Sequence, residues 1–186
     1  WSPCAPERLL FVGSFDHRPN RLAAAFLLDR VWPAVAAQRP QAHLVLAGRG
    51  SRTFLAARPG PAGGDHERVS ATGFVVDLGR LFGECRLFVA PIPEGGGIKI
   101  KILEAMARGI PVVTSPVGAE GITEPADDAV VIEDCDESFA AAVLRNLAQP
   151  DEAAARARRA RRHIEANFSW EAIVERLTAI YSGASG

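Results

Sequence analysis

The stretch PEGGGIKIKILEAMARGIPVVT, residues 93–114, sets how the rest of the chain is read. Three consecutive glycines, Gly95, Gly96 and Gly97, follow an apolar run, Leu87–Ala90, with the character of a buried strand, and precede a segment with helical apolar spacing. Glycine at such a junction lets the backbone approach a ligand closely and adopt positive φ, and the helix it opens leaves free N–H groups pointing outward. An anion fits there. Lys99 and Lys101 are expected in the first helical turn, where positive charge opposes the helix dipole unless an anionic partner is present, so their position points to phosphate.

Within the helix, Gly97, Lys101, Glu104 and Arg108 share one face, and Glu104 stands one turn behind Lys101. Ile98, Ile102 and Met106 make one apolar flank, and Ile100, Leu103 and Ala107 the other. Gly109 stops the helix, Pro111 prevents its continuation, and Val112–Thr114 reads as the next strand. On spacing alone, the same pattern equally suits an ordinary βαβ unit carrying a solvated Lys/Glu pair.

Around this unit, 186 residues of which 48% are hydrophobic supply the apolar surface for one domain with a proper core. A formal net charge of -1 favours neither nucleic acid nor an anionic membrane as a partner. Cys4, Cys85 and Cys135 are odd in number, widely spaced and lack a CxxC pair, which fits neither a disulfide framework nor a zinc site; a reducing, cytoplasmic setting is expected. No apolar run reaches membrane-spanning length, and the opening WSPCAPE lacks the character of a signal peptide. A chain that starts at Trp1 reads as a fragment or an excised domain.

Outward from the glycine turn, apolar runs alternate with helical patterns. Arg8–Gly13 reads as the first strand, a polar loop covers residues 14–18, and Pro19 starts a helix that runs to about Gln38. Ala42–Ala47 is the second strand, Thr53–Arg58 a short helix, residues 59–65 a loop, and Val69–Gly73 a weak third strand. Asp77 reads as the N-cap of a short helix, Leu78–Glu84, before the strand Leu87–Ala90. After Thr114 comes a loop rich in glycine and acid, then a sixth strand, Ala129–Ile132. Asp134 or Asp136 caps a helix to about Leu147, Pro150 breaks it, Asp151 starts a second, and Ser169 caps a third with Trp170, Ile173, Leu177 and Ile180 on one face. This alternation predicts an α/β fold, a Rossmann-like doubly wound parallel sheet of about six strands, with ligands bound beyond the carboxyl ends of the strands.

The run VAPIPEGGGIKIKILEAMARGIPVVTSPVGAEG resembles the family 4 (group 1) glycosyltransferases of the GT-B fold, and FVGSFDHRPNRLAAAFLL, GFVVDLGRLFGECRLFVAP and FSWEAIVERLTAIY extend the likeness over nearly the whole chain. The resemblance implies that residues 1–186 form the C-terminal nucleotide-sugar donor half of a two-domain enzyme, with an N-terminal acceptor domain absent from this chain. It implies transfer with retention and without a metal, with the donor as substrate and no cofactor. Carried over by position, Lys101 and Glu104 would be the catalytic pair, Glu104 holding the ribose hydroxyls. Gly95, Gly96, Gly97, Ile98, Lys99 and Lys101 would meet the diphosphate and sugar, with Gly13, Ser14 and Arg18 in the first loop, and Phe74 and Val75 would lie against the base. UDP or GDP would be the nucleotide, and a sugar, lipid or small molecule the acceptor.

Several departures from the family pattern stand out. Gly96 occupies the place of a second glutamate, Ser14 and Pro19 replace an arginine and a lysine that grip phosphate, and Ile98 replaces a hydroxyl residue. The phosphate would then fall to Lys99 and Lys101, with Arg18 or Arg21. A module that binds nucleotide sugars without catalysis is therefore a second reading, and an NAD-binding Rossmann domain a third, opposed by the missing GxGxxG after the first strand. Gly48-Arg49-Gly50 reads as a tight turn, and His17 as a surface histidine. The arginines at 156, 158, 159, 161 and 162 could attract an anionic membrane, but their spread around the helix suits a solvated face.

Overall fold

The computed structural model describes residues 7–58, 60, 66–122 and 128–183. Among these, short apolar runs form β1 (Arg8–Val12), β2 (His43–Ala47), β4 (Leu87–Ala90), β5 (Val112–Thr114) and β6 (Val131–Ile132), and the more polar VSATG forms β3 (Val69–Gly73). Neighbouring strands are all parallel, and their order is β3-β2-β1-β4-β5-β6. A parallel sheet is covered on both faces, so its central strands carry apolar residues without alternation; β4 and β5 are buried along their whole length, and β1 and β2 everywhere but their first residue. β3, at the edge, is half-buried throughout. The chain winds outward from β1 to β3 on one side and from β4 to β6 on the other. Loops leaving the ends of β1 and β4 therefore diverge, and a crevice opens between them. The expected doubly wound sheet is the one found.

Helices complete the layers: α1 (Arg18–Phe26), a π-helical turn (Leu27–Val31), α2 (Trp32–Gln38), α3 (Ser51–Ala56), α4 (Gly79–Gly83), α5 (Ile100–Ala107), α6 (Pro116–Ala119), α7 (Glu137–Ala148), α8 (Pro150–Asn167) and α9 (Trp170–Gly183). α7 packs on α2, the π turn, β4 and β5, while α5 packs on β4, β5 and α8. Rings knit these layers, Phe26 edge-on to Phe139 at 5.8 Å and Phe82 against Phe88 at 5.8 Å. Phe82, Phe88 and Phe139 are fully buried, and each such side chain contributes about 1.5–3 kcal/mol, whereas Phe26 is partly buried.

Several sequence expectations need correction. The single helix expected from Pro19 to Gln38 is three segments, because Pro33 lacks an N–H and its ring would strike the carbonyl four residues back. The chain widens there, and the Trp32 N–H reaches the Leu27 carbonyl. The helix expected at Thr53–Arg58 begins at Ser51, directly after Gly50, and ends at Ala56. Asp77 precedes the cap rather than being it: its carboxylate accepts from the Gly79 N–H at 2.7 Å, but the N-cap residue is Leu78 and the helix spans only Gly79–Gly83. The loop after Thr114 contains α6, capped by the Ser115 hydroxyl. β6 is shorter than the expected Ala129–Ile132, and α8 starts at Pro150 because a first helical position needs no N–H. Asp136 does cap α7, accepting from the Ser138 N–H at 2.7 Å; the Ser138 hydroxyl first, and this N–H second, lower its carboxyl pKa.

On α5 only part of the expected apolar pattern is inside. Ile102 and Met106 are buried with Ala105, whereas Ile98 and Ile100 are 48% and 70% exposed and Ala107 also faces out. The expected apolar face of α9 is exposed as well at Trp170, Leu177 and Ile180. Cys85 and Cys135 are free, and burial pushes the Cys85 thiol up to about 12; Cys4 lies outside the described residues, as do all but Gly60 of the expected 59–65 loop. No helix among the described residues is long and apolar enough to cross a membrane.

Candidate functional site

The crevice rests on a fixed floor. Thr114 and Ser115, at the end of β5, are buried; the Thr114 hydroxyl donates to the Ala90 carbonyl at 2.7 Å and the Ser115 hydroxyl to that of Ile92. These bonds tie the chain leaving β4 to its neighbour. Above them the backbone turns through Gly95 and Gly97, at φ 111° and 76°, values that side-chain-bearing residues rarely adopt. A methyl group added at Gly96 or Gly97 would touch nothing within 4 Å, so the bend is open. It feeds the N-terminus of α5, which no side chain caps.

Lys99 is the N-cap residue rather than a member of the first turn. Its ammonium donates to the Gly97 carbonyl at 2.6 Å and lies 3.9 Å from the Glu120 carboxylate. Lys101 crosses the crevice: its ammonium donates to the Asn20 side-chain oxygen on α1 and lies 4.7 Å from the Phe11 ring centroid. Burial, with the like charge of Lys99 as a smaller cause, lowers the Lys101 pKa to about 8.

Opposite stands the loop after β1. Asn20 donates to the Ser14 carbonyl at 2.8 Å, and Arg21 to those of Phe15 and Asp16, both at 2.8 Å. Arg21, expected as an alternative phosphate ligand, lies in α1 and is engaged by the loop that precedes that helix. Arg18 forms an ion pair with Glu94 across the mouth, and Arg49 pairs with Asp16 at 2.7 Å. Ser14 makes a 3.3 Å bond to Asp16.

Of the residues singled out in the sequence, Gly13, Ser14, Arg18, Gly95, Gly96, Gly97, Ile98, Lys99 and Lys101 come from the two loops and the helix start that bound this crevice. Glu104 is exposed one turn along α5. Phe74 and Val75 follow β3, two strands from β1; the Phe74 ring is 74% exposed, and Val75 lines a groove of about 580 Å³ with His43, Thr72 and Asp77. Sequence reasoning missed Asn20, Phe11, Glu94 and Glu120. No local pattern marks Asn20, 81 positions from Lys101. Composition held a clue to the lysines themselves: of 21 basic residues only Lys99 and Lys101 are lysine. Among the described residues no group of three or more His, Cys, Asp or Glu is placed to hold a metal ion.

A doubly wound sheet with an open glycine bend and two ammonium groups at its switch point offers a seat for an anion. The sequence profile described as glycosyl transferases group 1 matches residues 6–149, and the chain belongs to that family. It is 28% identical over 160 residues to a GDP-mannose-dependent monoacylated alpha-(1-6)-phosphatidylinositol monomannoside mannosyltransferase of Corynebacterium glutamicum, covering 82% of this chain and 42% of that one. In structure it is similar to HepE of Anabaena in complex with UDP and glucose (TM-score 0.75, 20% identity, 97% of this chain and 49% of that one). It is similar also to a sucrose-phosphate synthase of Thermosynechococcus elongatus (TM-score 0.72, 25% identity, 99% and 46%). The chain spans less than half the length of each of these relatives.

Proposed function

We propose that this domain seats the diphosphate of a nucleotide sugar at the β1/β4 crevice, for transfer of the sugar to an acceptor held by an N-terminal domain outside this chain. The observation that carries the reading is the Lys101 ammonium, held within the crevice beside an unobstructed glycine bend and an uncapped helix start. In glycosyl transfer the bond between the anomeric carbon and the diphosphate oxygen breaks, its electron pair stays on the diphosphate, and an acceptor hydroxyl oxygen forms the new bond and releases its proton. Fixed donors aimed at the oxygen gaining charge lower that barrier. A helix N-terminus supplies up to about 2 kcal/mol, and each charge-assisted hydrogen bond about 1.5–3 kcal/mol. Lys101, Lys99 and the start of α5 together are what supports the metal-free reading, and retention rests on the family likeness. Glu104 is assigned to the ribose hydroxyls and Phe74 and Val75 to the base.

The relatives' named nucleotides are GDP for the corynebacterial enzyme and UDP for the Anabaena one. Both carry the diphosphate that the crevice is proposed to seat. The acceptor is a sugar, lipid or small molecule, and a cytoplasmic setting agrees with the free Cys85 and Cys135. For membrane contact, Arg156 and Arg159 are held by Asp128 and Arg161 by Glu165, which leaves Arg158 and Arg162 as the exposed cations of α8 named for that role. A second reading, binding without catalysis, is favoured by Gly96, which offers the sugar no carboxylate.

Titration calorimetry of the whole protein with GDP, UDP and their sugars tests the first reading: binding in the micromolar range is expected, and heat for none of them overturns it. Turnover of a bound donor with an acceptor panel removes the second.

A further inference from the structure

We propose that Asn20 is a positioning residue of this site, its amide holding the Lys101 ammonium in the posture that receives the diphosphate; the proposal rests on the nucleotide-sugar reading above. Lysine has a long, freely rotating stem, and one at the start of a helix would ordinarily extend into water. Here it turns inward to Asn20.

The hydrogen-bond chemistry permits one orientation of that amide. A lysine ammonium only donates and a backbone carbonyl only accepts, so the Asn20 oxygen must face Lys101 while its NH2 group faces the Ser14 carbonyl, 2.8 Å away. Gly13 makes room for it: a Cβ at that position would lie 2.7 Å from the Asn20 Cγ. The Phe11 ring lies against the ammonium itself, its centroid 4.7 Å from the Lys101 Nζ. Loop, strand and helix thus converge on one amide, which fixes the end of a lysine from the opposite half of the sheet.

A neutral amide has a consequence that a carboxylate would not. It orients the ammonium and leaves its charge available to an incoming anion, whereas an aspartate would pair with it and cancel it. Three charged groups around the crevice are matched elsewhere, Arg18 with Glu94, Asp16 with Arg49, and Glu120 nearest to Lys99, while Glu104 stands exposed one turn along α5 from Lys101. Lys99 is the like charge that acts on Lys101. Asn20 therefore also sets how readily Lys101 stays protonated in its desolvated place.

The first arm of the test needs no nucleotide. In the whole protein labelled with carbon-13 at the lysine ε-carbon, the signal assigned to Lys101 by its loss in Lys101→Arg is expected to titrate near pH 8. In Asn20→Ala, where the ammonium loses its acceptor, it should titrate lower by about 0.5 or more, and in the nearly isosteric Asn20→Asp higher. The second arm compares GDP and UDP with guanosine and uridine. Asn20→Ala should cut diphosphate affinity on the order of tenfold, leave nucleoside affinity unchanged, and add no loss to Lys101→Ala. An unmoved Lys101 titration in both Asn20 variants, or equal loss for diphosphate and nucleoside, overturns the proposal. If the wild type binds neither diphosphate while Asn20 still governs the Lys101 titration, the coupling stands and the nucleotide-sugar reading is what fails.

Discussion

Arg18 and Glu94, 76 positions apart, pair across the mouth of the crevice, one from the start of α1 and the other from the chain leaving β4. The pair spans the two halves of the sheet where its strand order reverses. Both side chains are partly exposed, at 65% and 40%, and an ion pair in such a place is worth at most about 1 kcal/mol. An arriving diphosphate can therefore take Arg18 from Glu94 at little cost. Glu94→Gln is expected to raise diphosphate affinity by about two- to fivefold while changing stability by less than about 0.5 kcal/mol. Calorimetry and urea denaturation of the variant would show it.

Lys101 couples binding to pH. Its pKa in the folded protein, about 8, lies below the ordinary 10.5, so between those values the unfolded chain holds a proton that the folded chain has released. Lys101 by itself should then make the ligand-free protein more stable as pH rises across that window, opposed above about pH 9 by the buried Cys85 thiol, which keeps its proton to about 12; the full cost of burying the lysine charge is present below about pH 8. Lys101→Met should be more stable than wild type at pH 7, by roughly 1–3 kcal/mol, with the advantage fading toward pH 10.5. Chemical denaturation at several pH values measures this.

The same lysine predicts the reverse trend for the ligand. Diphosphate affinity should fall as pH rises through about 8, since the free protein loses the proton that the anion requires. In Lys101→Met the fall should be absent and affinity at pH 7 lower by about ten- to a hundredfold. A pH series of titrations decides it.

Glu104 stands exposed on α5, so its removal should cost the fold little, within about 0.5 kcal/mol. Glu104→Ala is nevertheless expected to weaken GDP or UDP binding by about tenfold. It should also abolish the preference for the ribose over the 2′-deoxyribose nucleotide. Equal discrimination in wild type and variant would place the ribose elsewhere.

Gly13→Ala offers a structural check at the end of β1. The new methyl would lie 2.7 Å from the Asn20 Cγ, too close for the amide to stay. Stability should drop by about 1–3 kcal/mol, with diphosphate affinity reduced in parallel, and a crystal structure of the variant should find Asn20 displaced.

Local residue patterns were enough to establish much of this protein. Unbroken apolar runs at Leu9–Val12, Leu44–Ala47 and Leu87–Ala90 required strands covered on both faces, and the glycines before α5 marked an anion-seeking bend, because burial preference and backbone freedom are properties of short stretches. The π turn before Pro33, the outward Ile98 and Ile100, and the partners of Lys101 were not legible that way. Pro33 had a readable chemistry, but the wider turn that absorbs it depends on what the helix packs against. Ile98 and Ile100 fit an apolar helix face, yet they stand past the carboxyl end of the central strand β4, where they remain 48% and 70% exposed. Asn20 meets Lys101 only because the strand order reverses between β1 and β4, setting two loops of one sheet face to face. A sequence carries the hydrogen-bonding capacity of each side chain, but which donor reaches which acceptor across 81 residues is decided by how the sheet is wound.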